Sequence, residues 1–320
     1  MVTMLNYLKL VRYPNLLIVI ITQYLMRWCI IEPMLEVNGF ELQLSSFHFA
    51  LLVVATVLIT AAGYVINDYF DTHTDFLNRP KTVLVGTVIS RRSAIIFHSV
   101  LNVIAVLIGF YLAYKINMVF LGFVFLIVTG LLWFYSTTYK RQFLVGNILV
   151  AFLTALVPLM VVLFEIPLLN EAYREILIKN NANFMYIFYW VLAFSFFAFI
   201  TNLMREIIKD IEDFEGDSAY GRNSLPVVLG VKTSKTITIS LAVIVLAALN
   251  YIYIKYLEDS ITIIYFSLFL YLPFLFLIAR LIYAKTKKQF RNIGNILKII
   301  MLLGILYSLV VRYIVQNQVI

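Results

Sequence analysis

The feature that most constrains this chain is the recurrence of apolar runs, each about as long as a bilayer is thick. They fall near residues 14–31, 48–67, 94–114, 117–135, 146–165, 184–203, 236–255, 261–283 and 294–315. Roughly 20 apolar residues in a helix cross the ~30 Å hydrocarbon layer. Inside that layer every backbone amide and carbonyl must be bonded within the protein, so only helices and closed barrels can span it. The runs are continuous rather than alternating, which excludes a barrel. The expected fold is therefore all-α, a polytopic membrane bundle of nine transmembrane helices. Lys115-Ile116-Asn117 is so short a link that the third and fourth runs must form a hairpin. A mean hydropathy of +0.94 leaves too little polar surface for a soluble domain. No linker or low-complexity stretch divides the sequence, so residues 1–320 read as a single membrane-embedded domain.

A formal charge of +8 would suggest a nucleic-acid partner for a soluble protein. Here its distribution points to the lipid bilayer instead. Eighteen of the 25 Lys and Arg residues fall toward one side of the bundle, six toward the other, and Lys298 lies within the ninth run. Basic residues concentrate on cytoplasmic loops, which places the N-terminus in the cytosol, the C-terminus outside and the protein in the cell membrane. Lys9 and Arg12 precede the first run as in a signal peptide. No small-residue cleavage site follows, so the run reads as a retained span. Cys29 is the only cysteine, which excludes a disulfide framework or thiolate cluster, and His48, His73 and His98 lack a metal-ligand spacing.

Against this apolar background, two groups of acids stand out. Asn67, Asp68, Asp71 and Asp75 close the second run, while Glu206, Asp210, Asp213 and Asp217 follow the sixth. If the second helix continues, its four residues share about a 100° arc at ~3.6 residues per turn. The second set, at i, i+4, i+7 and i+11, makes a narrower stripe. Like charges at these spacings repel unless a cation relieves them, and hard oxygen ligands suit Mg²⁺ with substrate phosphate. Two facing stripes could hold two Mg²⁺ with a diphosphate between them. The four-span separation of the stripes also suggests a weak internal repeat. His73 reads as a solvated neighbour of these acids.

Cations lie close by: Arg79 and Lys81 after the first stripe, Arg205, Lys209 and Arg222 around the second, and Lys140 and Arg141 after the fourth run. Such groups can take phosphate oxygens that metal does not reach. Arg91, Arg92, Lys232, Lys235 and the 285–291 group are better explained by the general loop bias. Aromatic residues such as Phe120, Phe123, Phe125, Trp133, Phe134, Phe184, Tyr186, Phe188, Tyr189 and Trp190 suit either a channel for an isoprenoid tail or a lipid-facing belt.

At these residues the chain resembles the UbiA superfamily of intramembrane prenyltransferases. The family's NDxxDxxxD motif is matched by Asn67, Asp68, Asp71 and Asp75, and its DxxDxxGD-like motif by Asp210, Asp213, Gly216 and Asp217. The likeness continues through Arg12-Tyr13-Pro14-Asn15, Asn78-Arg79-Pro80, Ile89-Ser90, Tyr135 with Lys140, and Gly221 to Pro226, and so covers nearly the whole chain. The resemblance implies nine spans with both motifs cytoplasmic, and prenyl transfer from a polyprenyl diphosphate. It implies Mg²⁺ held by Asp71, Asp75, Asp210, Asp213 and Asp217 with Asn67 and Asp68. Lys140, Arg79 and Arg222 would neutralise the leaving diphosphate, with Lys81, Arg205 and Lys209 beside them. Asp71, Asp210 and Lys140 carry the catalytic assignments.

The run Arg205 to Asp217 and the triplet Asn78-Arg79-Pro80 resemble the branch that prenylates geranylgeranylglyceryl phosphate, giving an ether-lipid precursor. One departure follows: Lys81-Thr82-Val83-Leu84-Val85-Gly86 replaces a longer family segment with a second Arg and further prolines. An aromatic acceptor of quinone synthesis, 4-hydroxybenzoate or 1,4-dihydroxy-2-naphthoate, is the alternative within enzymes. An ion-coupled transporter is the alternative of another class, although its carboxylates would belong near the bilayer midplane.

Overall fold

The computed structural model of the protein describes residues 3–78 and 83–317. Among these residues, nine helices are long and apolar enough to cross a membrane. They are α1 (Tyr13–Glu36), α2 (Ser46–Asn78), α3 (Arg91–Lys115), α4 (Phe120–Thr137), α5 (Val145–Ala172), α6 (Met185–Glu212), α7 (Leu225–Leu257), α8 (Ser260–Tyr283) and α9 (Lys287–Gln316). Each overlaps one apolar run, and the protein is a multi-pass membrane protein. Most helices extend past the run that announced them. Hydropathy registers only the part in hydrocarbon, whereas the backbone ladder continues until a cap or a turn stops it.

Those stops are written locally. Ser90 accepts a hydrogen bond from the Ser93 amide to begin α3, Asp259 does the same from Thr262 for α8, and Thr286 with Gln289 forms a capping box for α9. Asn117, at φ +55°, makes the left-handed turn of the α3–α4 hairpin. In α7 the helix is interrupted at Gly230, whose φ of +81° is outside the helical region. The expected seventh run began only after that kink.

The chain forms two compact units. The first comprises Met1–Gln23, Leu42–Lys140 and Met160–Tyr186, and the second Tyr24–Glu41, Arg141–Leu159 and Ile187–Ile320. In the first, α2, α3 and α4 pack together. The His98 ring meets the Ala62 carbonyl at 2.9 Å and the Asn102 amide at 3.1 Å, and Thr129 donates to Asn102 at 3.4 Å. Polar bonds of this kind hold helices together in lipid, where apolar burial gives little preference. Close packing completes the hairpin, since a Cβ at Gly109 would collide with the Phe125 ring. Glu165 of α5, fully buried, accepts from the Gln43 and Leu44 amides at 2.5 and 3.1 Å and so anchors the segment leading into α2.

In the second unit, Met204, Ile207, Ile208 and Ile211 of α6 share a buried core with Leu277 and Leu281 of α8 and with Phe290, Ile293, Leu297 and Ile300 of α9. Lys235 donates to the Ile282 and Ala284 carbonyls, closing the end of α8. Arg291 pairs with Glu212 at 2.9 Å. Both cations thus do structural work in keeping with the loop-bias reading. The aromatic residues sort as sequence could not sort them: Phe125 and Phe184 are buried, whereas Phe120, Phe123, Phe134 and Tyr189 are exposed, as is natural beside lipid.

Candidate active site

The first acid cluster exists because α2 does not end at the membrane edge. Its helix runs on to Asn78, carrying Asn67, Asp68, Asp71 and Asp75 on one continuous backbone. Asp68 accepts from Arg12 at 2.7 Å, and Arg12 also lies over the Tyr64 ring at 4.9 Å. Asp71 is buried and pairs with Lys140 at 2.8 Å; both side chains are almost inaccessible. A buried acid is tolerated when a cation satisfies it, so the pair fixes both side chains. Asn67 is half-buried on the same helix. The Asp75 side chain, Arg79 and Lys81 lie outside the described residues.

Arg91, which sequence reasoning assigned to general charge placement, belongs to this cluster. Its guanidinium stacks over Tyr69 at 4.1 Å and donates to Thr72 at 3.2 Å. No spacing rule joins residues 69, 72 and 91; the fold of α2 against α3 does.

The second cluster differs from the single stripe that the i, i+4, i+7, i+11 spacing suggested. Glu206 and Asp210 lie on α6 itself rather than beyond it. The helix stops at Glu212, Asp213 leaves the helical region at φ −94° and ψ 7°, and Asp217 belongs to a separate short helix, Phe214–Ala219. Six acids within residues 206–217 repel at i+3 and i+4 spacings, which disfavours one unbroken helix. Acids in the first turn of the new helix instead meet its favourable dipole.

Asp210 accepts from the Asn147 amide of α5 at 2.7 Å. Glu206 is held by Arg205 at 2.6 Å and lies 3.9 Å from Lys209. Asp217 is paired with Arg222 at 3.4 Å, and the Arg222 amide also bonds the Asp217 carbonyl. Burial pushes the Asp217 carboxyl above the usual carboxylate range, and the Arg222 charge opposes that rise. Asp213 is half-buried at the bend. Asn147 is a site neighbour that sequence reasoning missed, although an Asn opening an apolar run was a visible signal.

The donor set in both clusters is carboxylate and amide oxygen, which fits a hard divalent cation and not a soft one. Among the described residues no three acid, His or Cys side chains already converge as a ligand set. Asp68, Asp71, Glu206 and Asp217 instead meet cations, and Asp210 meets an amide.

The UbiA prenyltransferase family profile matches residues 39–299. The chain belongs to that family. Digeranylgeranylglyceryl phosphate synthase of Methanothermobacter thermautotrophicus is 32% identical over 240 residues, covering 74% of this chain and 72% of that one. The synthase of Korarchaeum cryptofilum is 32% identical over 260 residues, covering 78% and 80%. Among solved structures, one of digeranylgeranylglyceryl phosphate synthase in membranes aligns with a TM-score of 0.64 at 23% identity, covering 96% and 97% of the two chains. A UbiA homolog from Archaeoglobus fulgidus bound to GPP and Mg²⁺ aligns at 0.57 with 16% identity, covering 95% and 99%. At these identities the structures speak for the fold, a helical membrane bundle. This UbiA-family member is an enzyme, a prenyltransferase of lipid biosynthesis, which sets the transporter alternative aside.

Proposed function

We propose that this enzyme transfers a geranylgeranyl group from its diphosphate to geranylgeranylglyceryl phosphate. The observation that carries the acceptor is the name shared by its relatives at about one-third identity, digeranylgeranylglyceryl phosphate synthase. It favours the lipid acceptor over an aromatic one. Residues 1–320 act as one catalytic domain on this reading.

In the reaction the C1–O bond of the donor breaks, an allylic cation leaves the diphosphate, and the acceptor hydroxyl closes on C1 as an ether, losing its proton. Asp71, Asp75, Asp210, Asp213 and Asp217, with Asn67 and Asp68, would hold Mg²⁺ on the diphosphate. Bound there, Mg²⁺ supplies charge that lets the diphosphate depart. Lys140 and Arg222 take departing oxygens, and Arg79, Lys81, Arg205 and Lys209 contribute further positive charge. The 2.8 Å Lys140–Asp71 pair gives this assignment a physical form. In this arrangement Asp71 would serve as a ligand of the metal and Lys140, beside it, would present its charge to a phosphate oxygen. The apolar surroundings keep water from the allylic cation.

The charge bias puts the N-terminus and both clusters on the cytosolic side and the C-terminus outside. The test is a purified-enzyme assay with geranylgeranyl diphosphate against geranylgeranylglyceryl phosphate, 4-hydroxybenzoate and 1,4-dihydroxy-2-naphthoate, with and without EDTA. Product from the first acceptor alone, lost with EDTA and restored by Mg²⁺, is expected. Turnover of an aromatic acceptor, or indifference to EDTA, would refute the reading.

A further inference from the structure

Four side chains of α5 and α6 form an unbroken donor–acceptor relay within the second unit. The Thr154 hydroxyl donates to the Val150 carbonyl at 2.9 Å. Asn202, 2% exposed, donates its amide to Thr154 Oγ1 at 2.6 Å and to the Val150 carbonyl at 3.3 Å. Its oxygen then accepts from Arg205 Nε at 3.1 Å, and Arg205 Nη2 reaches Glu206 at 2.6 Å. The directions are forced. Two acceptors fix the amide nitrogen of Asn202, so its oxygen can face only the guanidinium.

We infer that Thr154 and Asn202 are positioning residues that aim Arg205 at the prenyl diphosphate. This rests on the reading of Arg205 as a diphosphate contact. A free arginine head samples many rotamers, and fixing it in advance removes an ordering loss from substrate binding. Nε and one Nη2 hydrogen are committed to Asn202 and Glu206. A guanidinium carries five donors, so its Nη1 edge stays available to an anionic oxygen. Spacings of i+4 on α5 and i+3 on α6 keep the relay on one face of each helix. The alternative is that Asn202 and Thr154 only fasten α5 to α6.

Steady-state kinetics of the full-length enzyme in proteoliposomes, with geranylgeranyl diphosphate varied, separates the two. Arg205→Lys cannot reproduce the Nε bond, and it should raise the donor KM roughly tenfold with kcat little changed. Thr154→Val, which keeps the packing volume, should raise the same KM by a few-fold, on the order of one weakened hydrogen bond. Thr154→Ser should restore the wild-type value. The Thr154→Val/Arg205→Lys double variant should match Arg205→Lys alone, because both act through one guanidinium. Additive effects, or a Thr154→Val enzyme that melts earlier with unchanged KM, would overturn the relay while leaving Arg205 as a contact. An unchanged KM in Arg205→Lys would remove the diphosphate contact itself, and the relay's purpose with it.

Discussion

In the first unit Asp68 and Asp71 each meet a full cation distant in sequence, Arg12 and Lys140, whereas in the second Asp210 meets the neutral amide of Asn147. The difference concerns charge, not residue type. An ion pair neutralises the acid before any ligand arrives, and that cation must be displaced or shared when a metal takes the carboxylate. An amide fixes one oxygen in space and brings no counter-charge. On the proposed assignment Asp210 would meet its metal without a cation to displace, whereas Asp71 would share its carboxylate with Lys140.

The strongest challenge to that contrast is removal of the acids themselves. Asp71→Asn and Asp210→Asn should each lower kcat/KM by on the order of 10²–10³-fold or more, the scale of losing an electrostatic contact in a transition state. Asp71→Asn should also lower the melting temperature, because it removes the carboxylate paired with Lys140 in a nearly inaccessible site. Asp210→Asn should melt near wild type. Equal melting shifts in the two variants would erase the distinction.

A smaller effect is expected from their partners. Lys140→Met removes the cation paired with buried Asp71 and, on the proposed reading, one that faces the leaving group, so donor KM should rise on the order of 10²-fold. Asn147→Leu removes the hydrogen bond to Asp210, worth about tenfold. Kinetics with the donor varied would check both, and the reverse ranking would contradict the charge argument. The smallest effect on turnover belongs to Gly109→Ala, about five turns along α3 from Arg91. Its new methyl meets the Phe125 ring, so stability should fall by about 1–3 kcal/mol in detergent melts while kcat is unchanged.

Much of this was open to reading without coordinates. Nine apolar runs foretold nine helices, because backbone satisfaction in lipid admits little else. The shared arc of Asn67, Asp68, Asp71 and Asp75 was conditional on α2 continuing, and α2 does continue to Asn78. The parallel stripe around Asp217 was misjudged, since spacing says nothing about where mutual repulsion bends a chain. Asn147 and Asn202 escaped notice, and Arg91 was read only as loop charge, for a related reason: each gains its meaning from a residue on another helix.

What the sequence alone determined is therefore the medium, the helix count and the acids that carry the family's motifs, since all of these depend on local composition and period. Only tertiary structure decided which distant donor meets Asp71 and Asp210, Lys140 for the first and Asn147 for the second. Hydrogen bonds act over about 3 Å and demand orientation. Chain order does not fix such a distance until the helices have packed.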